Sequence, residues 1–303
     1  MMKSVAITGA TGFIGKTLLQ KLSESDWKIR ALTRSNHFDH PSIQWIHGDL
    51  HNLDALHQLI DGATHVIHCA ATVKGSSYKE FWRTNVQGTQ NIVDVSLEQN
   101  PAPRLLLISS LAAKLPSLSW YAQSKYLSEL ELAHHPDYEN WTIFRPTAVY
   151  GPGDKEIKPL FQMAQRGFLP VVGQIHNRFG LIHVDDLVAA ILAWLDSETR
   201  IHGIFELDDG LAGGYSYQEI AALAQSTWGQ FVRCIEIPDK LIRSVAYANL
   251  WCARLLRYSP MLTPGKVNEL QHGDWVCDNT ALIRSLPAWK PRIRLQDVLS
   301  TVI

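Results

Sequence analysis

What this chain of 303 residues lacks narrows its class first. No apolar run approaches the roughly 18 residues that a membrane-crossing helix needs, so no transmembrane segment is expected. The strand pattern is entered by Lys3, which leaves no room for a charged leader followed by an apolar signal segment, and a cytoplasmic location is the expectation. Cys69, Cys234, Cys252 and Cys277 lie far apart and form neither a CxxC pair nor a zinc spacing, so reduced thiols are expected. Among the 13 histidines, His51/His57, His65/His68 and His134/His135 come without a convergent set of further ligands, and no metal is expected. A block of one charge sign is missing too. With 28 basic against 29 acidic residues the formal net charge is −1, and the basic ones are scattered rather than aligned, which argues against a nucleic-acid partner. Internal repeats and low-complexity linkers are also absent, so a second lobe is not expected to move as an independent domain.

What is present is a rhythm. Short apolar runs at Val5-Ala-Ile-Thr, Ile29-Arg-Ala-Leu-Thr, Ile43-Gln-Trp-Ile, His65-Val-Ile-His-Cys, Leu105-Leu-Leu-Ile and Trp141-Thr-Ile-Phe alternate with helical patterns. Continuous apolar strands separated by helices predict an α/β protein whose parallel sheet is covered on both faces. After the turn-rich stretch Tyr150-Gly151-Pro152-Gly153-Asp154 the rhythm loosens, with helices expected near 156–166, 184–197, 217–228 and 239–257. Residues 1–150 therefore read as the sheet unit, with 180–207 returning to it, and 151–303 mainly as a smaller lobe over the sheet's carboxyl edge.

Thr8-Gly9-Ala10-Thr11-Gly12-Phe13-Ile14-Gly15 follows the first strand and opens the first helix. Glycines there permit a tight turn and a close backbone approach to a pyrophosphate, whose charge the helix amides would meet. The second strand ends Ala31-Leu32-Thr33-Arg34, where an acid would hold a ribose diol and a base a 2′-phosphate. Arg34 is basic and the nearest acid, Asp39, lies beyond the turn, so NADP(H) is favoured over NAD(H). Tyr121 and Lys125 stand four residues apart, which places both on one helix face, where an ammonium could lower the phenol's pKa.

Together these residues resemble the extended short-chain dehydrogenase/reductase family over nearly the whole chain. The GxxGxxG spacing of Gly9, Gly12 and Gly15 is that family's form, as is Gly48-Asp49-Leu50, whose Asp49 would meet the adenine edge. His68-Cys69-Ala70-Ala71 is similar to the fourth-strand segment against the cofactor, and Asn85-Val86-Gln87-Gly88-Thr89 to the helix whose asparagine supports the nicotinamide half. In Ile108-Ser109-Ser110-Leu111-Ala112 the resemblance makes Ser110 the catalytic hydroxyl and sets Ser109 nearer the cofactor. Arg145-Pro146-Thr147-Ala148-Val149-Tyr150 resembles the segment bordering the nicotinamide, adding Pro146 and Val149 to the cofactor contacts. His183, in Ile182-His183-Val184-Asp185-Asp186, is read as structural.

The resemblance implies a Rossmann doubly wound sheet with a C-terminal substrate-binding lobe, and hydride transfer to a ketone or aldehyde held by Ser110, protonated by Tyr121 and supported by Lys125. Phe144-Arg145-Pro146-Thr147 is similar to the hydroxysteroid-dehydrogenase-like and dihydroflavonol-reductase-like branch, and Ser110-Leu111-Ala112 lacks the Asp-Glu pair of many sugar dehydratases. A relatively apolar small-molecule substrate is therefore expected, with the protein a monomer or homodimer. A nucleotide-sugar epimerase or dehydratase is the alternative, and a non-enzymatic dinucleotide sensor or assembly subunit the second. From Asp239 to Tyr258, Leu241, Ile242, Val245, Ala246, Trp251, Leu255 and Leu256 form an apolar face interleaved with Arg243, Arg254 and Arg257. A core helix of the lobe accounts for it most simply. A substrate entrance, or contact with a membrane, is the sharper alternative.

Overall fold

A computed structural model describes residues 3–35, 41–135 and 138–301. In chain order the first unit comprises β1 (Ser4–Thr8), α1 (Phe13–Leu22), β2 (Lys28–Thr33), β3 (Ile43–His47), α2 (Leu53–Ile60), β4 (His65–His68), α3 (Tyr78–Phe81), a π-helical turn (Trp82–Gln87), α4 (Gly88–Leu97), β5 (Arg104–Ile108), α5 (Trp120–Ala133) and β6 (Trp141–Pro146). The remainder adds β7 (Ala148–Tyr150), α6 (Lys158–Gln165), β8 (Phe168–Val171), β9 (Arg178–Phe179), β10 (Leu181–His183), α7 (Val184–Asp196), β11 (Gly203–Leu207), α8 (Tyr217–Trp228), β12 (Arg233–Glu236), α9 (Asp239–Leu256), α10 (Pro264–Gln271), β13 (Asp274–Trp275), α11 (Thr280–Ser285) and α12 (Leu295–Val298).

Seven strands form one parallel sheet in the order β11-β6-β5-β4-β1-β2-β3. The chain order reverses between β1 and β4, and in such sheets ligands bind at the crevice outside the carboxyl ends of those strands. The apolar runs supply both faces because successive side chains point to opposite sides. Val5, Ile7, Ile29, Leu106 and Phe144 enter one core with Leu18 of α1 and Ile191 and Trp194 of α7. Ala6, Leu32, Val66, Leu105, Leu107 and Ile143 enter the other with Leu56 of α2, Ile92 of α4 and Leu132 of α5. After the break, α7 lies in the core shared with α1 and β11 pairs with β6, whereas β10 pairs with β7 in a separate two-stranded sheet.

The lobe has its own core around Tyr150, Phe161, Leu169, Leu181, Tyr217 and Ile220. A far smaller cluster, Ile242, Ala246 and Val267, seats α9 on α10. Here the structure departs from the core-helix expectation for α9. Ile242, Ala246, Leu250 and Ala253 are buried, whereas Leu241, Val245, Trp251, Leu255 and Leu256 are exposed. The physical reason is that α9 carries apolar residues around most of its circumference, and α10 covers only one stripe. Among the described residues no helix is long and apolar enough to cross a membrane.

Candidate active site

The cofactor cradle begins where β1 hands over to α1. Gly9 takes a left-handed φ of 71°, and a Cβ there would lie 2.5 Å from the Ala70 amide nitrogen, so only glycine lets the turn rest on the exit of β4. A Cβ at Gly15 would stand 2.2 Å from the Gly9 carbonyl oxygen, which fixes the helix directly on that turn. Gly12 is the N-cap of α1 and offers no side-chain cap, and the first turn holds no acid. The leading amides and the helix dipole are therefore open toward an anion. Thr11 and Gly12 are exposed at this point, with Phe13 and Ile14 half-buried behind them.

Below the turn, His68 lies fully inside the sheet, its Nδ1 2.6 Å from Thr8 Oγ1 and its Nε2 3.0 Å from Thr89 Oγ1. Burial, helped by the Lys125 charge, pushes its pKa down to about 3, so it is a neutral brace. Thr8 Oγ1 also accepts from the Ala70 amide at 3.3 Å, which holds Cys69-Ala70-Ala71 across the crevice. Burial pushes the Cys69 thiol up to about 12, so it stays protonated. Asn85 is enclosed as well. Its Oδ1 accepts from the Thr72 amide at 2.7 Å while its Nδ2 donates to Thr72 O at 3.0 Å and Ser124 Oγ at 2.8 Å. It thereby ties the loop after β4 to α5, a positioning role. Arg34 and Asp49 are exposed at the ends of β2 and β3, Asp49 accepting from the His51 amide at 2.8 Å. Leu50 is buried against Gly88, where any Cβ would collide with it. Asp39 lies outside the described residues.

Ser110, Tyr121 and Lys125 come from two neighbouring elements. Ser119 caps α5, its hydroxyl accepting from the Ala122 amide at 2.9 Å, and this starts the helix one residue before Tyr121. Ser110 follows β5, its Oγ accepting from the Ala112 amide at 3.2 Å, and it borders the same cleft as Tyr121. Burial pushes the Tyr121 pKa up to about 12, opposed by the Ser110 hydrogen bond and reinforced by the Glu269 carboxylate. Lys125, only 2% exposed, donates to the Ile108 carbonyl at 2.8 Å, and burial lowers its pKa to about 8. The spacing on α5 suggested that Lys125 would lower the phenol's pKa. In the structure desolvation outweighs any such effect, and the ammonium is aimed at the β5 carbonyl.

Ser109, beside Ser110, borders the cleft and is held from behind. Its hydroxyl donates to buried Glu129, which in turn accepts from Arg145 Nε at 2.9 Å and lies in an ion pair with its guanidinium. This network locks α5 to β5 and β6, and Glu129 extends the series Tyr121, Lys125, Glu129 by one more four-residue step. That spacing was a usable signal in the sequence. Glu269 and Lys266 of α10 were not foreseeable in this way. Glu269 accepts from Ser119, pairs with Lys266 at 2.8 Å and so joins the lobe to the cap of α5. His183 is structural, its Nδ1 accepting from the Asp185 amide at 3.2 Å at the start of α7. Among the described residues no group of three potential ligands could hold a metal.

Phe13, Ile14, Ser109, Ser110, Tyr121, Pro146 and Val149 border one cleft of about 1450 Å³, roofed from the lobe by Leu160, Phe179, Leu250, Trp251 and Met261. The sequence pattern of the NAD dependent epimerase/dehydratase family matches residues 5–207, the span that builds the sheet and this site. The chain belongs to that family. It is an enzyme of the extended short-chain dehydrogenase/reductase type, and the open helix terminus and glycine cradle fit the dinucleotide the family uses. A ceramide reductase of Caulobacter vibrioides is 35% identical across 94% of this chain and 89% of its own length. A human sterol-4-alpha-carboxylate 3-dehydrogenase, decarboxylating, is 26% identical over 61% of this chain and 56% of its own. Among solved structures, MoeE5 in complex with UDP-glucuronic acid and NAD superimposes with a TM-score of 0.75 over 99% of this chain and 97% of its own at 23% identity, a likeness of fold.

Proposed function

We propose that the protein is a carbonyl reductase, or in the reverse direction an alcohol dehydrogenase, acting on a long-chain lipid substrate with Ser110, Tyr121 and Lys125 as its catalytic residues. The observation that carries this reading is the Ser110–Tyr121 hydroxyl pair at the floor of a cleft walled by apolar side chains. A bound dihydronicotinamide dinucleotide supplies the hydride. The Gly9–Gly15 turn and the α1 amides would hold its pyrophosphate, Arg34 a 2′-phosphate, Asp49 the adenine edge, and Lys125 the nicotinamide ribose. Ser110 donates a hydrogen bond to the carbonyl oxygen, where negative charge grows. Tyr121 Oη gives that oxygen its proton. A phenol held protonated by burial suits this direction, being an acid at neutral pH.

The substrate class rests on two supports. One is the similarity to a ceramide reductase across nearly the full chain. The other is that the cations lining the cleft among the described residues are engaged already: Arg178 with Gly213 O, Gly214 O and Glu219, Lys266 with Glu269, and Arg254 with Ser76 O. A nucleotide-sugar diphosphate would have to displace one of them. The test is to follow the nicotinamide absorbance with long-chain lipid ketones, ceramide-derived ones among them, and with nucleotide sugars. Turnover of the lipid ketones with NADPH preferred over NADH is expected, and Arg34→Ala should erase the cofactor preference. Turnover of nucleotide sugars alone overturns the substrate class; equal dissociation constants for the two cofactors in the unaltered protein overturn the role of Arg34.

A further inference from the structure

Seven of the fourteen exposed large apolar side chains among the described residues lie between Leu241 and Tyr258, too dense a group for chance scatter over the surface. Leu241, Val245, Ala248, Cys252 and Leu255 follow one another at helical intervals of three and four, so they make one continuous outward stripe on α9, opposite the buried Ile242, Ala246, Leu250 and Ala253. Leu255 and Leu256 are 66% and 69% exposed. Beyond Asp239, which pairs with Arg243, the charges beside this stripe have one sign. Residues 240–268 contain Lys240, Arg243, Arg254, Arg257 and Lys266 and no acid. Arg243 is taken up by Asp239, Asn268 and Gln271, Lys266 by Glu269 and Arg254 by Ser76 O, whereas Lys240 and Arg257 stay exposed with no carboxylate partner among the described residues. The same helix carries the rim of the cleft. Tyr247, Trp251 and Arg254 line it from the lobe and Val73 from the sheet unit, with Arg254 donating to Ser76 O at 3.2 Å.

We propose that α9 seats the enzyme on an anionic lipid bilayer, its exposed leucines and Val245 inserted among the acyl chains and Lys240 and Arg257 at the level of the phosphates. Helices with an apolar face, basic flanks and a tryptophan lie in the plane of such an interface. The cleft mouth then opens toward the bilayer beside Trp251, so that an apolar substrate passes into the site without crossing water. A second copy of the chain seated on the same face would cover that mouth. Substrate delivery by this route rests on the carbonyl-reductase reading; the attachment itself does not.

The test is co-sedimentation with vesicles of phosphatidylcholine, with and without about three-tenths phosphatidylglycerol. The unaltered protein should pellet with the anionic vesicles and far less with neutral ones. The double variant Leu255→Ser/Leu256→Ser, neither of which lines the cleft, should partition at least about tenfold less while keeping its melting temperature and its turnover of a water-soluble ketone. Arg257→Asn removes a charge at a position of left-handed φ, 56°, that asparagine tolerates, and should weaken binding to anionic vesicles only. Failure of the unaltered protein to pellet, or equal pelleting of the double variant, overturns the proposal. So does a dimer in sedimentation velocity that the double variant dissociates while neither protein binds vesicles. Vesicle binding without turnover of any ketone would leave the attachment standing and remove the reductase reading.

Discussion

Two helices facing the same cleft invert the usual rule for what a protein buries. Helix α5 turns Ser124, Lys125, Ser128 and Glu129 inward, and all four are buried. The lobe helix α9 turns Leu241, Val245, Trp251, Leu255 and Leu256 outward. Buried polar groups and exposed large apolar groups are the informative exceptions, because each carries a free-energy cost that packing alone does not require. On α5 the cost is offset by pairing: Glu129 to Ser109 and Arg145, Lys125 to Ile108 O, Ser128 Oγ to Lys125 O, and Ser124 to Asn85 and Tyr121 O. A helix so fixed can hold Tyr121 still. On α9 nothing within the described chain covers the face, and only three buried apolar residues anchor the α9–α10 contact. One helix is rigid by polar satisfaction, and the other presents a surface.

The contrast breaks most sharply at Tyr121. Tyr121→Phe removes only the ionisable oxygen and should lower kcat about 10²–10⁴-fold, with the circular dichroism spectrum and cofactor dissociation constant nearly unchanged. Wild-type turnover in this variant would take the proton-transfer role away from α5. Next comes Glu129→Ala, which strands the half-buried Arg145 and the Ser109 hydroxyl and should cost about 2–4 kcal/mol in denaturant unfolding, the pair being only partly shielded from water. A loss below about 0.5 kcal/mol would mean that the network does not fix the helix.

Acid should act on the same polar interior. His68, held down to about 3, and His65, held down to about 4, both chiefly by burial, refuse protons that the unfolded chain accepts near pH 6.5. Their contribution to stability is therefore full above about pH 6.5 and is lost as the pH falls below it. Between pH 7 and 5 the melting temperature should drop by about 5 °C, and His68→Gln should flatten part of that decline. A flat profile in the unaltered protein would show that these rings are open to water. The smallest stability effect belongs to α9. Trp251 is 67% exposed, so Trp251→Ala should shift the melting temperature by no more than about 1–2 °C while raising KM severalfold for long-chain ketones. A loss of several degrees with unchanged KM would return Trp251 to a structural role.

The sequence by itself determined the sheet, the glycine turn and the shared helix of Tyr121 and Lys125, because each rests on local rules. Strand alternation, the φ that only glycine adopts freely at position 9, and the four-residue step from Tyr121 to Lys125 are all set by near neighbours in the chain. The same step, taken once more, reaches Glu129. What the sequence could not decide depended on partners remote along the chain. The Ser109 hydroxyl is committed to Glu129 because Arg145, on a different strand, holds the carboxylate there. Tyr121 has a raised rather than lowered pKa because the lobe encloses it and α10 brings Glu269 near. The apolar pattern of α9 is the same whether its face is covered or bare, since hydrophobicity records a preference for leaving water and not what supplies the cover. Only the tertiary structure shows that α10 meets one stripe of α9 and leaves the other at the mouth of the cleft.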